Sequence, residues 1–116
     1  MTRAQLPHRR PNATREVEDG GHRFTVTIGF DLEGRPKEVF ADGLKIGTGL
    51  GHVIADACIW ASLLLQHGAT PADLGKSLTR IPVAPWQGDG TTAASVLGTI
   101  AEVVQAEADG IADIVP

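Results

Sequence analysis

The chain has 116 residues, which is enough for one domain with a single hydrophobic core and too few for a second domain beside it. Hydrophobic residues make up 42% and charged residues 21%, which is ordinary for a globular protein and argues against wholesale disorder. The net charge of −4 hides an asymmetry, because residues 1–15 hold four Arg and no acid while the remainder holds six basic and fourteen acidic residues. The N-terminus and the body therefore carry opposite charge.

Cysteine content and apolar runs indicate the compartment. The single Cys58 excludes an intramolecular disulfide, a two-Cys metal site and a CxxC redox pair, so a reducing compartment fits best. The N-terminus lacks the apolar segment of a signal peptide, and the longest mostly apolar run, Ile59–Leu65, is too short to span a bilayer. We therefore expect a cytoplasmic protein with no membrane contact.

Residues 1–13 are predicted to form an extended basic arm, because Pro7 and Pro11 break helices. Such an arm is a candidate contact for nucleic acid, a nucleotide or an acidic protein surface. Four arginines in or next to it are the candidate contact residues: Arg3, Arg9, Arg10 and Arg15. The alternative is a solvated tail that lies over the acidic body of its own chain.

Residues 14–110 are predicted to form one domain that opens with a three-stranded antiparallel meander. The strands are expected at Thr14–Glu18, His22–Phe30 and Pro36–Phe40, and the second alternates apolar and polar side chains. Gly34 lies in the second turn, where it can adopt a positive φ.

A glycine-rich connection leads from the third strand into a helix. Small residues before a helix N-terminus can expose backbone N–H groups to an anion, which makes four residues candidates for an anion-binding loop: Lys45, Gly47, Gly49 and Gly51. The spacing is not that of a dinucleotide-binding fingerprint, and no parallel βαβ unit surrounds it. A purely structural turn is therefore the favoured interpretation.

The following helix, Gly51–His67, has apolar residues on nearly every side, so we expect a second copy of the chain to cover part of it. Trp60 and Leu64 are the candidate residues of this dimer interface. Cys58 is expected to be buried, and Asp56 to be exposed through a gap in the packing. His67 is predicted to support the C-terminal end of the helix dipole.

Two further helices are predicted. Thr70 is expected to cap the first, with Pro71 at its first position, Asp73 in a capping box and an end near Leu78. The last helix is expected to start from a cap at Asp89 or Thr91 and to run to about Ala108, followed by a C-terminal tail at residues 111–116. The fold class is therefore α+β, with the helices covering one face of the sheet.

Catalytic chemistry finds no support in the sequence. The four histidines are scattered at positions 8, 22, 52 and 67, without a pair or a Cys at ligand spacing, so we expect no metal site and no cofactor. Ser62 has no recognisable base partner, and no set of nucleophile, base and orienting group can be assembled.

Several segments, in order, resemble the TSCPD domain. They are residues 6–12 (LPHRRPN), 23–31 (RFTVTIGFD), 34–40 (GRPKEVF), 65–68 (LQHG) and 74–78 (LGKSL). That domain occurs near the C-terminus of class II, adenosylcobalamin-dependent ribonucleotide reductases and as short stand-alone proteins in bacteria and phages. The resemblance covers roughly Leu6 to Ile81 and implies a link to ribonucleotide reductase.

The chain departs from the family where chemistry is concerned. The Thr-Ser-Cys-Pro-Asp signature is absent, and the corresponding region reads Gly90–Ser95. A reductase needs a thiyl radical and a dithiol reductant, which one cysteine cannot supply. The resemblance therefore implies a non-catalytic accessory or binding module that contacts a reductase-like partner, a nucleotide or a nucleic acid. The alternatives are a reductase component that works in trans and a purely structural homodimer.

Overall fold

A computed structural model describes residues 12–19, 21–43 and 49–112. The elements follow in the order β1 (Asn12–Asp19), β2 (His22–Phe30), β3 (Pro36–Asp42), α1 (Gly49–Gln66), α2 (Pro71–Gly75), β4 (Arg80–Pro82), a 3₁₀ turn (Pro85–Gln87), β5 (Thr91–Ala93) and α3 (Val96–Ala112). The predicted α+β class and the antiparallel meander β1-β2-β3 are both confirmed.

Alternation along β2 gives the sheet an inner and an outer face. Phe24, Val26 and Ile28 are at most 2% exposed, whereas the intervening Thr25 and Thr27 lie on the outer face. The strand ends in a register shift at Gly29 and Phe30, next to the turn into β3. The inner face therefore holds a continuous apolar surface that the helices cover.

The turn between β2 and β3 is stabilised by one carboxylate. Asp31 Oδ1 accepts hydrogen bonds from the backbone N–H groups of Glu33 and Arg35, both at 2.9 Å. Gly34 has φ +82°, as predicted for its place in this turn.

Helix α3 crosses the inner face of the sheet. Its residues Ile100, Val103 and Val104 are buried in the same cluster as Phe24 and Val26. The helix also contacts the β4-β5 hairpin, where a Cβ added to Gly98 would lie 2.9 Å from the Cβ of Ala93. The close approach of α3 to β5 therefore requires glycine at this position.

Helix α1 packs chiefly against β3 and covers the free edge of that strand. The Ser62 hydroxyl accepts a hydrogen bond from the backbone N–H of Val39 at 2.9 Å. The same hydroxyl donates a hydrogen bond to the carbonyl oxygen of Val39 at 3.2 Å. One hydroxyl thus bonds both backbone groups that a further strand would otherwise bond.

Two more hydrogen bonds fix the C-terminal end of α1 to the same edge. The buried ammonium group of Lys37 donates to the carbonyl oxygen of Leu65 at 3.0 Å, and the Gln66 amide donates to the carbonyl oxygen of Lys37, also at 3.0 Å. Lys37 therefore places a positive charge where the helix dipole is negative. His67 was predicted to support this end of the helix; the contact seen there comes from a lysine on the neighbouring strand, and the role of His67 stays a prediction.

The turn from α1 into α2 follows the sequence signals. Gly68 has φ +104° just after α1. Thr70 Oγ1 accepts from the N–H of Asp73 at 3.2 Å, and Asp73 Oδ2 accepts from the N–H of Thr70 at 2.9 Å, so the predicted capping box is confirmed. These hydrogen bonds lower the pKa of the Asp73 carboxyl from its ordinary value.

Two predictions downstream of this cap were wrong, and one element was missed. Helix α2 ends at Gly75 rather than near Leu78. The segment after it forms the hairpin β4-β5, which the sequence analysis missed because strands of three residues are too short to show alternation. Thr91 belongs to β5, so neither it nor Asp89 caps the last helix, whose N-cap is Ser95 with its hydroxyl accepting from the N–H of Gly98 at 3.2 Å.

The Ser62 contact gives a test of how α1 is held. Replacing Ser62 with Ala leaves both partly buried backbone groups of Val39 without this partner, so we expect the free energy of unfolding to fall by about 1–3 kcal/mol. Urea unfolding followed by circular dichroism measures the change. The exposed Ser77→Ala is the matched control, and equal effects of the two substitutions would contradict the role assigned to Ser62.

Two glycines on α3 provide a second, paired test. Gly98→Ala adds a methyl group against Ala93, and we expect a loss of about 1–2 kcal/mol in the free energy of unfolding. Gly110→Ala adds a methyl group in open space on the same helix. The higher helix propensity of Ala should there stabilise the protein by up to about 1 kcal/mol. The measurement is thermal and urea unfolding, and shifts of the same sign would refute the close-approach argument.

Candidate partner-binding surface

Helix α1 has a buried side and an exposed apolar side. Ile54, Cys58 and Leu65 lie in the core, at 0%, 5% and 0% exposure. On the opposite side five large apolar residues remain substantially exposed: Val53 (55%), Ile59 (57%), Trp60 (73%), Leu63 (38%) and Leu64 (53%). Contiguous exposed apolar surface of this kind marks interaction sites in soluble proteins.

The exposed side of α1 borders an apolar groove. This groove, with a volume of about 290 Å³, runs between α1, α2 and α3. Trp60 and Leu64 lie on its α1 wall, while Leu74 and Leu97 lie on the other helices. Trp60 and Leu64, the two predicted interface residues, also border a shallow hollow with Leu63 and His67. A dimer through these residues stays a prediction.

A second groove follows the contact between α1 and the outer side of β3. It has a volume of about 410 Å³, and its apolar rim includes Phe40, Ile59 and Leu63. Phe40 is half exposed on the outer face of the sheet. Apolar surface therefore continues from α1 around the edge of the sheet.

Helix α1 is also long and apolar enough to cross a membrane by length and composition alone. That criterion is weak evidence, because core helices of soluble proteins meet it as well. Only 22% of this helix is buried, in accordance with the exposed face described above.

The predicted anion loop lies partly outside the described residues, which exclude Lys45 and Gly47. Gly49 and Gly51 belong to the first turn of α1. A Cβ added to Gly49 would meet no atom within 4 Å. The anion-binding hypothesis therefore stays a prediction.

The arginines predicted to contact a ligand also lie partly outside the described residues. Arg3, Arg9 and Arg10 lie outside the described residues. Arg15 lies on β1, where its guanidinium is 3.7 Å from the carboxylate of Glu107 on α3. Arg15 thus already contacts an acidic residue of its own chain.

Arg80 is a structural cation that the sequence analysis did not single out. Its guanidinium donates to Thr91 Oγ1 and to the Thr91 carbonyl oxygen, both at 2.9 Å, and to Glu102 at 2.8 Å. The residue therefore ties both strands of the β4-β5 hairpin to α3. Its role could not be predicted from the sequence, because the hairpin that positions Arg80 was not predicted.

The chemistry-bearing groups of the described residues do not converge. Within residues 12–19, 21–43 and 49–112, no group of three His, Cys, Asp or Glu side chains is placed to hold a metal ion. Cys58, predicted to be buried, is buried on α1. Burial, with a smaller contribution from the Asp42 carboxylate, raises the pKa of the Cys58 thiol to about 11. The thiol is therefore protonated and shielded at neutral pH.

Thiol labelling tests this description of Cys58. A pKa raised from 9.0 to about 11 lowers the thiolate fraction near pH 8 by roughly 100-fold, and burial slows access further. We expect native protein to react with a thiol reagent at least 100-fold more slowly than the urea-unfolded chain. Stoichiometric labelling of the native protein within seconds would reopen a redox role.

Comparison with known proteins identifies the family. Neither the curated proteins nor the solved structures gave a match. The family model of the TSCPD domain matches residues 2–108, nearly the whole chain and a longer stretch than the residues that carried the resemblance. The meander, the three helices and the hairpin all begin within that match. The chain therefore belongs to the TSCPD domain family.

Proposed function

We propose that this protein is a non-catalytic accessory or binding module that works with a reductase-like protein, a nucleotide or a nucleic acid. The TSCPD domain is associated with ribonucleotide reductase, which supplies the link to that enzyme. The observation that carries the non-catalytic assignment is the state of Cys58. It is the one cysteine of the sequence, and it is buried with a raised pKa.

Thiol chemistry explains why that observation is decisive. Exchange between thiols and disulfides requires an accessible thiolate and a second thiol to resolve the mixed disulfide. Cys58 offers neither, since it is buried on α1 and the chain has no second cysteine. The chain alone is therefore not expected to reduce nucleotides.

The arginine-rich segment is the proposed contact. The family match begins at residue 2, so it includes Arg3, Arg9 and Arg10. The remainder of the chain is acidic, which concentrates the positive charge in this segment. Arg15 already pairs with Glu107, so a phosphate or carboxylate ligand would compete with that ion pair at this position.

Salt-dependent binding tests this contact. We expect full-length protein to bind single-stranded DNA, RNA or a nucleotide, and binding to a single strand to weaken with salt by about 0.7 log unit per neutralised phosphate for each tenfold rise in salt. Deleting residues 1–11 leaves β1 complete and should abolish the binding, and so should the triple variant R3Q, R9Q, R10Q.

The matched control carries the same change in net charge at exposed sites elsewhere, in the triple variant R23Q, R35Q, K76Q. These residues form surface ion pairs, each worth roughly 0–1 kcal/mol, so the fold should tolerate their loss. Equal binding by the deletion variant, or none by full-length protein, would remove this segment as a nucleotide or nucleic-acid contact. Affinity capture from the native cytoplasm with wild-type and triple-variant protein would then test a protein partner.

A component that works in trans with a cobalamin-dependent reductase is the second candidate, and it follows from the same family association. This candidate differs from the binding module in its expected effect on the turnover of the reductase. Adding the protein to a reductase that lacks its own C-terminal domain should raise turnover, whereas a binding module of another kind should leave it unchanged.

A further inference from the structure

The exposed side of α1 has the spacing of a helix-helix seam. Val53, Asp56, Trp60, Leu63 and His67 follow one another at intervals of three, four, three and four residues. That repeat is typical of a helix that packs along a second helix nearly in line with it. Val53, Asp56, Trp60 and Leu63 are exposed, and His67 is half-buried.

The charges on this seam distinguish between two orientations of a partner helix. Asp56 lies toward one end and His67 toward the other, about 16 Å apart along the helix axis, with Trp60 and Leu63 between them. A parallel copy would place Asp56 against Asp56. An antiparallel copy in register about the midpoint of Trp60 and Leu63 places each Asp56 opposite the partner's His67, so that both ends attract when the imidazole is protonated.

We propose that α1 forms an antiparallel two-fold pair with α1 of a second copy of this chain, with Trp60 packed against the partner's Leu63. Asp56 and the partner's His67 form an ion pair at each end. The interface is self-complementary, as two-fold symmetry requires. This inference does not depend on the arginine segment or on the nature of any ligand.

The available area suits such a pair. At half exposure an aliphatic side chain offers about 50 Å² of apolar surface, and Trp60 offers about 150 Å². The five exposed apolar residues of α1 named above together offer about 350 Å² per subunit, before the polar ends of the seam and the groove walls are counted. Two subunits thus supply about 700 Å² of apolar surface, and the polar ends of the seam and the groove walls supply the rest of the roughly 1,000 Å² that a specific interface buries.

A lipid surface fits the same helix less well. Asp56 is exposed on the seam itself, and the groove beside α1 is lined by Glu38 and Asp42. Negative charge at these positions opposes both burial in hydrocarbon and approach to anionic headgroups. The seam spacing and its two opposite charges favour a second protein helix.

Charge reversal tests the pairing and its orientation together. Sedimentation equilibrium on the acidic side of neutral pH should show wild-type dimers. Asp56→Lys and His67→Glu each remove two attractive pairs, so each variant alone should dimerise at least tenfold more weakly, which corresponds to about 1.4 kcal/mol. An equimolar mixture should form heterodimers with affinity close to that of wild type, because all facing charges are then opposite.

Matched controls separate this result from a general effect on the fold. Trp60→Glu should abolish the dimer, whereas Trp86→Glu, at a tryptophan that is 86% exposed in the 3₁₀ turn, should leave it intact. Asp89→Lys, in an exposed loop, is the control for Asp56→Lys. Circular dichroism establishes that each variant is folded.

Several outcomes would overturn the proposal. Wild-type protein that is monomeric at hundreds of micromolar would exclude the pair. Wild-type affinity in either charge variant alone, or a mixture that fails to form heterodimers, would exclude the antiparallel register. Monomeric protein that binds vesicles of phosphatidylcholine and phosphatidylserine, and loses that binding in Trp60→Glu, would assign the exposed side of α1 to a membrane instead.

Discussion

The attachment of α1 to the edge of β3 is the contact on which the rest of the architecture depends. Ser62 bonds both backbone groups of Val39, while at the end of the helix Lys37 donates to the carbonyl oxygen of Leu65 and Gln66 donates to that of Lys37. The helix therefore lies beside the strand as well as over it. Because one side of α1 is used by this edge and by the core, its opposite side faces outward with Trp60 on it. The exposed seam and the neighbouring groove both follow from this placement.

The same placement determines the chemistry available to the protein. Cys58 is on the inner side of α1, where it contributes to the core cluster and acts as a small apolar residue. Its thiol is held protonated by burial and by the nearby Asp42 carboxylate. The position that would have to be reactive for redox work is thus used for packing. The exposed side of α1 is the surface that we propose for contact with a second chain.

The sequence predicted those features that local spacing or backbone chemistry encodes. Alternation in β2 and the breakers around it gave the meander, and the Thr70 and Asp73 pair gave the capping box of α2. Burial of Cys58 was predicted from its apolar neighbours Ala57 and Ile59, and exposure of Asp56 from a gap in the packing of the same helix; both are confirmed.

Features that depend on tertiary contacts were missed. The β4-β5 hairpin has strands of three residues, whose pairing is stabilised by Arg80 and by α3 rather than by a periodic pattern. Lys37 supports the end of α1 from 28 positions away, which no local signal reveals. The pairing of Arg15 with Glu107 is equally non-local. Arg15 was therefore predicted as a ligand contact without any sign that Glu107 already pairs with it.

Protection of the β3 edge has a consequence for the order of folding. The strands of the meander are joined by short turns, so their contacts close small loops, whereas the contacts of α1 with β3 join residues 23 to 29 positions apart. We expect the meander to form first and to leave Val39 open at its edge until α1 docks. During that interval the edge can pair with another chain, so slow docking of α1 would appear as aggregation during refolding while the native state stays soluble.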